Sequence, residues 1–148
     1  MPQSLTQQTM MNLKDGNTPM TDSDGVIRNL CWSPRIAAKT ADYTVKSYET
    51  GSFFTTTGAA GAVNFTLPTI ASGPWIFTFV AGAAQNMTVT SETADTIVTF
   101  NDLAADSIAA STASEIIGAG FEAFTDGTTL FVVQKYGVSH RQTATIAT

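Results

Sequence analysis

The chain has one histidine, one cysteine and few charges, and each shortage narrows what it can do. A single cysteine, Cys31, allows no disulfide within the chain, which fits a protein made in a reducing compartment. Beside Trp32 it reads as a small buried hydrophobe, and one Cys with one His cannot build a structural zinc site. His140 lies in a polar stretch next to Arg141, so a histidine-based nucleophilic triad is not expected. Charged residues make up only 13% of the 148 residues, against about a quarter in ordinary domains. The net charge is −5, so the basic footprint of a nucleic-acid binder is missing. No apolar run approaches the ~18 residues of a membrane-spanning helix. The longest, residues 75–84, is interrupted by Thr78 and Gly82. The first residues have no basic segment followed by an apolar core, so a signal peptide is not expected.

Thr, Ser, Ala and Gly fill the space that Lys and Glu usually take. A surface of this kind is weakly defended against self-association and suits proteins that assemble. The seven cations are Lys14, Arg28, Arg35, Lys39, Lys46, Lys135 and Arg141. Those from Arg28 to Lys46 form a mild cluster.

Composition divides the chain into three regions. Residues 1–41 carry Pro2, Pro19 and Pro34 and no sustained periodicity, and read as an extended N-terminal arm. Residues 17–25 read as turn and loop, with one apolar knot of Val26, Ile27, Leu30 and Trp32 and a short strand near 26–32. Residues 42–137 form a β-domain, and residues 138–148 a polar tail with weak β character. Within the β-domain, residues 43–48 alternate as a half-buried strand. Phe and Thr fill 52–57, small residues turn the chain at 58–61, and 64–67 form a strand closed by Pro68. Residues 75–80 are apolar on both faces and read as a buried strand. Further strands fall at 87–92, 96–100 and 130–136, with an Asp-Gly turn at 125–128. Residues 101–106 read as loop or one helical turn. The Ala content of 107–114 permits helix, and 115–124 reads as one or two strands bent at Gly118 and Gly120. Strand signals every 8–12 residues predict an all-β fold, a small sandwich or barrel-like domain. No solenoid repeat is visible, although the Gly/Ala turns recur.

The polar candidates are few. Asp22, Asp24 and Gly25 make a calcium-loop fragment without its further ligands, and with Asp15 and Gly16 they read as turns. Asp102 and Asp106 share a face only if their segment is helical. Glu115 and Glu122 are the only pair considered for acid–base work, with solvated positions as the default. The turn at 58–62 is not a phosphate loop, because no Lys-Ser/Thr follows and a strand comes next. The aromatics Phe53, Phe54, Phe65, Trp75, Phe77, Phe79, Phe121, Phe124 and Phe131 read as core, with one or two at a subunit interface. The residues thus give no catalytic, cofactor or metal site, and no enzyme is expected.

The stretch DYTVKSYETGSFFTTTGAAGAVNFTLP resembles a module of tailed-bacteriophage structural proteins. The matching pieces are residues 51–57, 58–68, 75–80, 83–89 and 126–134, within a span of about 42–136. That module occurs in capsid decoration (cement) proteins and in tail fibres. The short chain and its arm favour the first. The resemblance implies a homotrimer on the capsid exterior of the virion, made in the host cytoplasm. Its partners would be the major capsid protein and its own copies, with neither nucleic acid nor membrane. Residues 1–41 and 138–148 are the candidate contacts. The alternative is a tail-fibre or receptor-binding component.

Overall fold

The computed structural model describes residues 20–21, 27–28, 35–92, 95–100, 102–136 and 144–147. The chain forms two compact units, residues 1–34 and 35–148. In the first, β1 (Met20–Thr21) and β2 (Ile27–Arg28) pair antiparallel. Residues 20 and 21 fall inside the segment expected to be turn and loop. Their strand character comes from the partner across the connection, which local signals do not display.

The second unit is mostly β and contains two mixed sheets. Its strands are β3 (Ile36–Ala38), β4 (Tyr43–Thr44), β5 (Phe53–Thr55), β6 (Val63–Thr66), β7 (Trp75–Val80) and β8 (Met87–Thr90). There follow β9 (Ile97–Thr99), β10 (Asp102–Ala105), β11 (Ser107–Ala110), β12 (Gly120–Thr125), β13 (Leu130–Tyr136) and β14 (Ala144–Ala147). The seven-stranded sheet runs β10-β9-β13-β12-β7-β5-β3, and the five-stranded sheet runs β14-β11-β8-β6-β4.

From β3 to β8 successive strands alternate between the sheets. Neighbours within each sheet are parallel: β3 with β5 and β5 with β7, then β4 with β6 and β6 with β8. The chain therefore winds as a flattened coil. Parallel neighbours need long crossovers, and here the strand in the opposite sheet is the crossover. Later strands extend both sheets, β12 antiparallel to β7 and β11 antiparallel to β8, while β13 and β9 pair parallel. Residues 144–147, in the segment read as a polar tail, pair with β11 as β14.

Four local readings change, and in one of them residues 115–119, expected as strand, lie outside any strand, with β12 beginning only at Gly120. The strand expected over 43–48 stops at Thr44, and residues 47–49 form a 3₁₀ turn. The Glu49 carboxylate accepts the Lys46 amide at 3.0 Å, drawing the chain back on itself. Residues 102–105 and 107–110, open to helix by composition, are strands. Pairing of β10 with β9, and of β11 with both β8 and β14, overrides their weak helix propensity.

Side chains from both sheets meet in one apolar cluster. Phe54 and Phe79 come from the seven-stranded sheet and Phe65 from the five-stranded one. The Phe54 and Phe65 rings lie 5.8 Å apart, and Phe65 and Phe79 4.9 Å. Phe54, Phe65 and Phe79 are fully buried. Burying a side chain of this size contributes on the order of 1.5–3 kcal/mol.

The corners of the coil stack as well. The Lys39 amide donates to the Thr55 carbonyl at 2.8 Å, and the Thr56 amide to the Val80 carbonyl at 3.2 Å. The Gly82 amide donates to Thr56 Oγ1 at 3.0 Å, and the Asn64 amide to Asp42 Oδ1 at 2.8 Å. These bonds satisfy backbone donors where the ladders end.

Candidate interaction face

The two sheets present opposite kinds of surface outward. On the five-stranded sheet, Thr44, Thr66, Thr90 and Ser107 lie side by side in register, with Asn64, Thr88 and Ala109 in a second row. Thr90 Oγ1 donates to Asn64 Oδ1 at 2.7 Å. This face is hydroxyl- and amide-bearing.

The seven-stranded sheet differs. In β7, Trp75, Phe77 and Phe79 point into the core, so alternation turns Ile76, Thr78 and Val80 outward. In β12, Phe121 and Ala123 point inward, leaving Glu122 and Phe124 outside. In β13, Leu130 and Val132 point inward, leaving Phe131 and Val133 outside. Register aligns Val98, Phe131, Phe124 and Ile76 in one row across β9, β13, β12 and β7. A second row runs Val133, Glu122, Thr78, Phe53 and Ile36. Ile36 is 71% exposed, Ile76 42% and Val133 40%. Phe53, Val98, Phe124 and Phe131 are half-buried. The Phe124 and Phe131 rings stack at 5.2 Å, 19° from parallel.

This face holds one ionic contact, the Glu122–Lys135 pair. Its hydrogen bond to Glu122 raises the Lys135 ammonium above the usual lysine value. Glu122 is thus engaged by Lys135. Glu115 sits in the connection before β12, where its amide donates to the Thr112 carbonyl at 3.0 Å. Asp102 opens β10 and Asp106 follows it, so the shared helical face does not form. Asp15, Asp22, Asp24, Cys31 and His140 lie outside the described residues.

Two other features are structural. Glu49 is 4% exposed and accepts from Arg35 Nη1 at 2.8 Å and from the Tyr43 hydroxyl at 3.0 Å. Burial, then the hydrogen bond to Glu49, pushes the Tyr43 phenol above its usual value. Lys39 Nζ lies 3.3 Å from the centre of the Tyr43 ring. The cluster ties the first coil to the chain entering it. A cleft of about 320 Å³ is lined by Ala84, Asn86, Ser111, Ala113, Ser114, Ile116 and Ile117, none of which titrates. Among the described residues no group of three or more His, Cys, Asp or Glu is placed to hold a metal. No helix among them is long and apolar enough to cross a membrane. Compared with known proteins, the chain matches no family model and no curated protein.

Of the nine aromatics expected in the core, with one or two at an interface, Phe53, Phe124 and Phe131 lie on the outward face. The signal that could have found the face was β7 itself, apolar on both sides. A strand of that kind is normally covered on both sides. Among the described residues, the core packs against only one side of it.

Proposed function

We propose that this chain is a structural binding protein that works through surfaces rather than through chemistry. The specific reading is a tailed-bacteriophage head decoration protein, built as a small sandwich with an N-terminal arm. It binds the outer capsid surface as a homo-oligomer, a trimer by resemblance, and stabilises the assembled shell. The observation that carries the homo-oligomer part is the contrast between the two outward faces, one of Thr, Asn and Ser and one of Ile, Phe and Val. Contiguous exposed apolar surface on a folded domain marks a place where another molecule sits. The segments that resemble the phage module form consecutive pieces of the coil (51–57, 58–68, 75–80 and 83–89) and the β12–β13 hairpin.

The stabilising action would follow from linkage. A protein that binds the expanded shell, and not its precursor, favours the expanded state by mass action. Many modest identical contacts add through multivalency. Residues 1–41 and 138–148 are the proposed shell contacts.

The test is co-sedimentation with empty expanded shells of the same virus. Saturation at a fixed number of copies per shell, with a rise in the shell's melting temperature, supports the reading. No binding to shells, with the protein found at the tail of intact virions, overturns it in favour of a tail-fibre component.

A further inference from the structure

We infer that the outward face of the seven-stranded sheet is where copies of this chain meet one another. The inference rests on the homo-oligomer part of the proposed function and is independent of shell binding. Copies turn these faces toward a common axis, so that Ile76, Phe124, Phe131 and Val133 of each are covered by another.

The strand sequences require a cover. β7 and β13 carry large apolar residues at both inward and outward positions. Antiparallel sheets that face water instead alternate apolar with polar. The outward residues of the five-stranded sheet obey that alternation, so the departure is specific to one face.

Charge selects the occupant. The chain carries a net charge of −5, which opposes association of copies through most of its surface. Among the described residues, the one cation and one anion on this face pair with each other. No unmet charge on it calls for a partner of opposite sign, and a flat neutral apolar face is complementary to itself. Sheets pack face to face about 10 Å apart without a shaped groove.

The two outward rows together draw on six strands, about 24 Å at the usual spacing, and lie two residues, about 7 Å, apart along them. The sheet edges are the poorer alternative. β3 has three residues, and β10 changes register between Asp102 and Ala105. Short and irregular edge strands are how proteins discourage edge pairing.

The experiment compares three full-length proteins by analytical ultracentrifugation: wild type, Ile76→Lys with Val133→Lys, and Thr44→Lys with Thr88→Lys. The last adds the same charge to the opposite face. Wild type and the Thr44/Thr88 variant are expected to sediment as a dimer or trimer of the 15.6 kDa chain. The Ile76/Val133 variant is expected at 15.6 kDa, with self-association weakened about a hundredfold or more, because association would bury unpaired lysines. Circular dichroism checks that each variant folds. If the double variant does not, Val133→Gln replaces it, with an expected weakening of about tenfold. A wild-type protein that stays monomeric, or a folded face variant that associates as wild type does, overturns the inference. Oligomers that fail to bind shells would overturn the shell reading and leave this one standing.

Discussion

The backbone of Gly82 lies directly against Thr57. A β-carbon at residue 82 would sit 2.9 Å from the Thr57 amide nitrogen and 3.0 Å from its α-carbon, and closer still to Oγ1. Here two successive corners of the coil touch. Gly82→Ala must push the corners apart, because backbone rather than a flexible side-chain tip blocks the space. The expected destabilisation is about 1–3 kcal/mol, the usual range for overpacking. Ala at Gly61, where nothing lies within 4 Å, is expected to be near neutral. Denaturant melts of the two variants check the contrast.

Glu49 is the buried member of an unequal pair. Its side chain is 2% exposed and that of Arg35 is 56%. Glu49→Leu removes the acceptor for Arg35, Tyr43 and the Lys46 amide together, and is expected to cost about 2–3 kcal/mol. Arg35→Met leaves Glu49 with two donors and removes a mostly solvated cation, for about 1 kcal/mol or less. Equal melting temperatures for the two variants would contradict this ranking. The raised Tyr43 phenol adds a pH dependence at the alkaline end. Its folded value exceeds the unfolded one, so its contribution is complete below about pH 10 and is lost as pH rises through the folded value.

Asp126 closes the β12–β13 hairpin. Its Oδ1 accepts from the Thr128 hydroxyl at 2.7 Å, and from the Thr128 and Thr129 amides at 2.8 and 2.9 Å. These bonds, the hydroxyl first, lower its carboxyl from 3.8 to about 2. The folded value lies below the unfolded one. The turn's contribution is therefore present above about pH 4 and fades as pH falls toward 2. Asp126→Asn keeps an acceptor at Oδ1 and is expected to fold while losing this part of the acid dependence. Carboxyl titration by NMR checks it: a value near 3.8 for Asp126 would contradict the turn geometry.

Phe54 touches four rings, those of Tyr43, Phe65, Phe77 and Phe79, at 5.6 to 6.1 Å. It joins the two sheets through Phe65. Phe54→Ala is expected to cost about 3–5 kcal/mol, measured by chemical unfolding. A cost below about 1 kcal/mol would mean that the sheets do not share this core.

Much of the fold was legible where one window of sequence holds the whole cause. Gly58, at φ 83°, sits in the small-residue turn, and Asp126 and Gly127 make the hairpin connection. The coil was not legible, because its repeat lies between strands that local reading treats separately. Ala37 lies beside Phe54 and Phe54 beside Phe79, but the first pair is 17 positions apart in sequence and the second 25. β10 and β11 were ambiguous because Ala suits a helix until partner strands supply ladder bonds. The strand over 43–48 failed because Glu49, a later residue, caps the turn that ends it. The interaction face was half legible. Ile76 and Val80 stand out in the two-sided pattern of β7, but the rows draw on β9, β13 and β12, far apart in sequence.

The most direct measurement is carbene footprinting of the intact protein, read residue by residue with mass spectrometry at high and low concentration. Covered faces predict that Ile76, Phe131 and Val133 are protected at high concentration and labelled on dilution. Thr44, exposed on the outward row of the five-stranded sheet, should be labelled at both. Equal labelling of Ile76 and Val133 at both concentrations would contradict the claim that another copy covers this sheet.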